Sequence, residues 1–154
     1  MTWRALAIAA LLVCAAPGSI LAQTWPNPHG WSSLDAMILS TLTSSGTAEA
    51  AFWLPDHPDT DQATRGLGVA YEHIPGSAGN VDIALGYYVR TASGWQMAGP
   101  VTGVFGHNPR DPAYSDGTLE LTTTMLGPND PRCCPSLPVR WRIDLGSLAV
   151  ERLD

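Results

Sequence analysis

The feature that most constrains this chain is a two-residue alternation that recurs along most of its length. Val81, Ile83, Leu85, Tyr87 and Val89 alternate with Asp82, Ala84, Gly86, Tyr88 and Arg90. Successive side chains of a strand point to opposite faces, so this spacing predicts a strand with one face in a core. The pattern returns in Leu67, Val69, Tyr71 and His73, in Leu119, Leu121 and Thr123, and in Val139, Trp141, Ile143 and Leu145. The intervening Glu120, Thr122, Arg140, Arg142 and Asp144 predict a wet opposite face, as in antiparallel sheets. Ala92-Ser93-Gly94 reads as a turn that brings Trp95–Val101 back as a hairpin partner. An apolar strand over 48–54 ends at Pro55, and a last short strand spans 148–153. The 15 Gly and 13 Pro among 154 residues exceed the usual joint share of about 12% and supply turns rather than long helices.

One segment departs from the alternation. Trp31, Leu34, Ile38 and Leu42 recur at helical spacing. Ser32 with Asp35 resembles a capping box, and Gly46 is a stop, which predicts an amphipathic helix of about four turns. One helix followed by a meander of strands implies an α+β fold. The specific expectation is a helix packed on one curved antiparallel sheet of about five to six strands, cystatin-like in outline; the alternative is β-sandwich-like.

The first 22 residues read as a secretory signal peptide: Arg4, the apolar run Ala5 to Ala16, and a small-residue cleavage site ending at Ala22. The run is shorter than the roughly 20 apolar residues of a membrane span. Val13 stands where a lipobox has a small residue, so lipidation of Cys14 is not expected. Cleavage leaves a Pro-rich extended arm over 23–30 and a single domain over 31–154, with no later segment apolar enough to cross a membrane. The loss of Arg4 takes the formal charge from −6 to −7. Eight Arg, no Lys and 14 acids argue against nucleic acid, which requires a basic patch. The expected location is the periplasm or the medium.

Export also leaves only Cys133 and Cys134, which sit inside GPNDPRCCPSLP, residues 127–138. Four prolines make this a stiff connection between strands. In an oxidising compartment adjacent thiols are exposed to oxidation. Neighbouring Cα atoms lie about 3.8 Å apart, closer than the roughly 4.4–6.8 Å usual for disulfides, so a bond between them would be strained and more easily reduced. Four readings stay open: a structural disulfide that locks the loop, unreacted thiols, a redox or metal-binding pair suited to copper(I) or zinc, and intermolecular bonding.

The stretch Gly127-Pro128-Asn129-Asp130-Pro131-Arg132-Cys133-Cys134-Pro135-Ser136 resembles the GPNDPxCCP segment, followed by Ser or Thr, of small exported bacterial proteins, including mycobacterial lipoproteins of the LppP/LprE type. There too the segment precedes a strand of alternating polar and aromatic residues, as Val139–Leu145 does here. The Asn80–Phe105 stretch, with its turn at Gly94-Trp95, resembles the central hairpin of those proteins. The resemblance implies an envelope location and carries no assigned activity or catalytic residues.

Other constellations are weaker. Asp56, Asp59 and Asp61 give only the beginning of a calcium loop and read as a solvated acidic loop. His29, His57, His73 and His107 lack metal-ligand spacing. His73 shares an apolar face and reads as a core residue. No GxSxG elbow, P-loop or dinucleotide fingerprint occurs. His107, Asn108, Arg110 and Asp111 form a polar loop after Phe105. With Asn129, Asp130 and Arg132 they are the candidate recognition loop, beside Cys133 and Cys134 as the disulfide or thiol site. No catalytic residue, metal or cofactor is expected. The function expected is a non-catalytic interaction or envelope-associated role with an unspecified partner, an envelope protein being the candidate. The alternative is a thiol-based redox or metal-handling role for the adjacent cysteines.

Overall fold

The computed structural model describes residues 30–44, 48–77 and 81–154. The expected signal peptide, the arm up to His29 and the expected helix stop at Gly46 lie outside them. The described residues open with a 3-10 turn, Trp31–Leu34, that runs into α1, Asp35–Leu42. Eight strands follow: β1 Ala50–Pro55, β2 Arg65–His73, β3 Val81–Thr91, β4 Gly94–Val101, β5 His107–Ser115, β6 Thr118–Met125, β7 Leu137–Asp144 and β8 Val150–Arg152. They form two antiparallel four-stranded meanders, sheet A (β1–β4) and sheet B (β5–β8).

The α+β class with antiparallel sheets therefore stands. The single curved sheet of five to six strands gives way to two sheets facing each other. Leu54, Leu67, Val69, Leu85 and Tyr87 of sheet A share one core with Leu119, Leu121, Val139, Trp141 and Ile143 of sheet B. The break between sheets falls in residues 102–106, where Gly103 and Gly106 take positive φ (98° and 102°) and let the chain change layers.

Sheet A is covered on both faces. Trp53, Gly68 and Gly86 lie directly opposite one another across β1, β2 and β3, as do Ala51, Ala70 and Ala84. The glycines and alanines of these two rows leave a furrow on the outer face beside Trp53. A Cβ on Gly68 would meet Ile38 Cγ1 at 3.1 Å and the Tyr88 ring at 2.7 Å. α1 fills the furrow with Ile38, and Trp31, Trp53, Tyr88, Ala63 and Ala70 complete a second core. Trp31 anchors the entry, its ring 5.2 Å from that of Trp53 and its Nε1–H donating to the Pro58 carbonyl at 3.0 Å.

The helix is shorter than expected, and Ser32 does not cap it: Gly30 precedes the 3-10 turn and no side chain caps it. At the other end Thr43 is already extended. Thr41 Oγ1 and Thr43 Oγ1 donate back to the carbonyls of Met37 and Leu39, each at 2.6 Å. Ser and Thr side chains that compete in this way disfavour continuation of a helix.

Among the described residues sheet B is covered on one face only, and Thr118–Thr124 of β6 and Pro138–Asp144 of β7 alternate between accessible and buried positions. Its wet face carries Glu120, whose carboxylate accepts from Arg140 at 2.6 Å and from Arg142 at 2.8 Å.

Candidate functional site: the open end of the sandwich

The two ends of the sandwich differ. At one end Tyr114 Oη donates to the Leu54 carbonyl at 2.6 Å, and the Arg65 guanidinium lies over the Tyr114 ring, 5.2 Å from its centre. Arg65 also faces Asp56 at 3.5 Å. This network closes the core at that end.

At the other end the inner face of sheet B runs out into solvent. Met125 pairs with Leu137 across β6 and β7. Leu126 follows Met125, and Phe105 precedes β5. Phe105 is 62% exposed, Leu126 49% and Leu137 37%. They are three of the four large apolar side chains exposed among the described residues, Ile74 being the other. The Phe105 ring lies 6.2 Å from that of Trp141. Thr123 explains the geometry. Although fully buried, its Oγ1 donates to the Phe105 carbonyl at 2.7 Å and accepts from Trp141 Nε1–H at 2.8 Å. A buried hydroxyl needs such partners, and here they hold the segment before β5 against β7.

The loop over 126–136 leaves β6 at this same end. Asp130 clasps its base: Oδ2 accepts from the amides of Gly127 and Ser136, both at 2.7 Å, and Oδ1 from Ser136 Oγ at 2.8 Å. These donors hold the carboxyl below the usual aspartate range. Asp130, expected to recognise a partner, therefore spends its carboxylate on its own loop. Asn129 and Arg132 are exposed. The Cys134 amide donates to the Pro131 carbonyl at 2.9 Å, which turns the tip. Cys133 and Cys134 stand at disulfide distance, with Cα atoms 3.8 Å apart, and both residues are exposed.

The segment expected as a polar loop, His107 to Asp111, is instead the first half of edge strand β5. Its alternation is hidden because the pairing with β6 slips twice, between His107 and Arg110 and between Arg110 and Ala113. Asn108 and Asp111 take left-handed conformations, φ 52° and 55°, each just before a proline. Asn and Asp tolerate that region better than other residues, and bulges with prolines blunt an edge. Asn108 donates its amide to Tyr71 Oη at 2.8 Å, tying sheet B to sheet A. Arg110 donates to Thr124 Oγ1 at 2.9 Å and faces Asp111 at 3.6 Å. His107 is exposed and pairs in register with Thr124. The start of β5 and the root of the cysteine loop are thus neighbours through β6, while Arg110 and Asp130 serve the scaffold.

The remaining candidates are spent on structure or line a cleft of their own. Asp56 accepts from the amide and hydroxyl of Thr64, and Asp59 from the Asp61 amide at 2.9 Å, so the acidic loop is a set of turns. His73 is exposed at the end of β2 rather than buried in the core. It lines a cleft of about 250 Å³ with Ser44, Glu72 and Asp82, where Glu72 already accepts from the amide and hydroxyl of Ser44. Among the described residues no three His, Cys, Asp or Glu gather as a metal site, and no helix is long and apolar enough to cross a membrane. The exposed apolar rim was not singled out from the sequence; Phe105, Leu126 and Leu137 carry no local mark, and only the departure of strand parity into loop residues at 126 and 105 hints at them. No protein-family model, curated protein or solved structure matches this chain.

Proposed function

We propose that this chain is an exported, non-catalytic binding module that contacts an envelope protein through the open end of its sandwich. The observation that carries this reading is that exposed Phe105, Leu126 and Leu137 fall at the end of sheet B from which the clasped cysteine loop leaves, while the opposite end is closed by Tyr114 and Arg65. Contiguous apolar surface rimmed by polar groups is what interaction sites present. His107, Asn129 and Arg132 supply such a rim. Residues 1–22 and the resemblance of the GPNDPRCCPS segment to exported proteins support the location.

The test places a photo-crosslinking residue at Phe105 and, in a second protein, at Asp116 in the turn at the far end of sheet B. The expected result is a mature chain beginning at Gln23 outside the cytoplasm, with a discrete adduct from position 105 that Leu126→Ser removes. Equal adducts from both positions, or a chain that keeps residues 1–22 in the cytoplasm, contradict the reading.

A further inference from the structure

We propose that Cys133–Cys134 is a thiol–disulfide exchange site, reduced by an external dithiol, with Arg132 assisting departure of the first thiolate. The inference rests on the loop's own geometry and does not depend on whether the open end binds a partner. Three observations carry it.

The bond does not staple the fold. A disulfide stabilises chiefly by closing a loop in the unfolded chain, and one between adjacent residues encloses none. The loop has other fastenings, all independent of sulfur: Asp130 to the Gly127 and Ser136 amides and to the Ser136 hydroxyl, and Cys134 N–H to the Pro131 carbonyl. The pair is also accessible. Both cysteines are exposed, whereas structural cysteines are among the most buried residues.

The third observation concerns charge. Arg65, Arg90, Arg110, Arg140, Arg142 and Arg152 each face a carboxylate within 3.9 Å. Arg132, which directly precedes Cys133, is exposed and makes no ion pair among the described residues. The nearest carboxylate in sequence, Asp130, is turned onto Gly127 and Ser136. Arg132 is the neighbour of Cys133 in sequence, and a guanidinium that approaches a thiol without a competing carboxylate favours the thiolate, which then leaves faster.

The exchange balances as follows. One thiolate of the dithiol attacks a cysteine sulfur; the Cys133–Cys134 bond breaks, a mixed disulfide forms and the other cysteine leaves as a thiolate, which takes a proton. The second thiol of the reagent, deprotonated, then attacks its own sulfur in the mixed disulfide and releases the remaining cysteine. The pair gains two electrons and two protons, and the reagent closes as a disulfide.

The test treats the purified native protein with dithiothreitol, traps thiols by alkylation and counts them by intact mass, with circular dichroism on the same samples. We expect reduction to add two alkylated thiols per chain, both within Cys133–Cys134, with an unchanged spectrum. A Cys133→Ser, Cys134→Ser protein should unfold at the same denaturant concentration as the parent. Arg132→Gln should slow reduction about threefold at low salt, with Arg132→Lys retaining the parent rate and the difference fading at high salt. Alkylation only under denaturing conditions, unfolding on reduction, or free thiols that glutathione disulfide fails to close would each overturn the exchange site. Equal rates for Arg132→Gln and the parent would overturn the role of the arginine.

Discussion

Sheet A and sheet B have the same strand count and the same meander, yet they are stabilised differently. Sheet A is buried twice, by sheet B on its inner face and by α1 on its outer face. Sheet B is buried once and shows water a face of Thr, Glu and Arg. Burial of apolar area is the main favourable term in folding, so the doubly covered sheet carries the stability. The singly covered one is free to carry loops whose chemistry does not touch the fold.

The largest test of that contrast is on the two outer faces. Trp53 packs edge-on against Tyr88 at 4.7 Å and against Trp31. Trp53→Ala should cost about 4 kcal/mol, whereas Thr122→Ala on the wet face of sheet B should stay within about 0.5 kcal/mol. Urea midpoints measure both. A smaller effect comes from overfilling the furrow. Gly68→Ala drives a methyl against the Tyr88 ring, which is held by Trp53 and by the Thr41 hydroxyl, and should cost about 1–3 kcal/mol.

Acid should move the two layers in opposite directions. Burial raises the Asp35 carboxyl above its usual range, with the Trp53 indole partly opposing. Its charge therefore weighs against the fold, and this contribution worsens as pH rises through the raised value. Arg142 and Arg140 hold Glu120 below its usual range, so its contribution is present above the usual glutamate value and is lost as pH falls through the depressed one. Asp35→Asn should gain most over the parent at neutral pH, and Glu120→Gln should lose most there. Both differences should shrink as pH falls, that of Asp35→Asn once the pH is below the usual aspartate value and that of Glu120→Gln only below the depressed Glu120 value. Chemical denaturation across that range reads the signs.

The smallest expected effect on global stability is at the loop. Asp130→Asn should speed amide exchange at Ser136 and leave the urea midpoint near that of the parent. Acidification should do the same to the parent as pH drops below the depressed Asp130 value. A large fall in midpoint would make the loop part of the core.

The contrast also explains what could be read from the sequence. The alternation in Leu119–Thr123 and Val139–Ile143 appears undiluted because one face of sheet B meets water. In β2 and β3 the alternate positions include Gly68, Ala70, Ala84 and Gly86, too small to be recognised as buried until α1 is placed on them, Ile38 over Gly68 and Leu42 over Gly86. β5 escaped recognition because HNPRDPAYS holds two prolines, and its pairing is rescued by two register slips that only the partner strand reveals. The division into two sheets turns on Gly103 and Gly106, legible as glycines but not as a change of layer. At the site, the adjacent cysteines and their stiff loop were legible. The clasp by Asp130 and the pairing of every described arginine except Arg132 were not, because both arise from contacts that strand pairing and loop closure create.

The fold resides in the doubly covered sheet, and the cysteine tip is chemically separate from it. Native-state hydrogen exchange of the oxidised and reduced protein tests it directly. The account predicts that amides of β2 and β3, such as Val69 and Tyr88, exchange slowest and at the same rate in both forms, while exchange within 129–136 rises on reduction. A comparable loss of protection across β2 and β3 on reducing Cys133–Cys134 would contradict it.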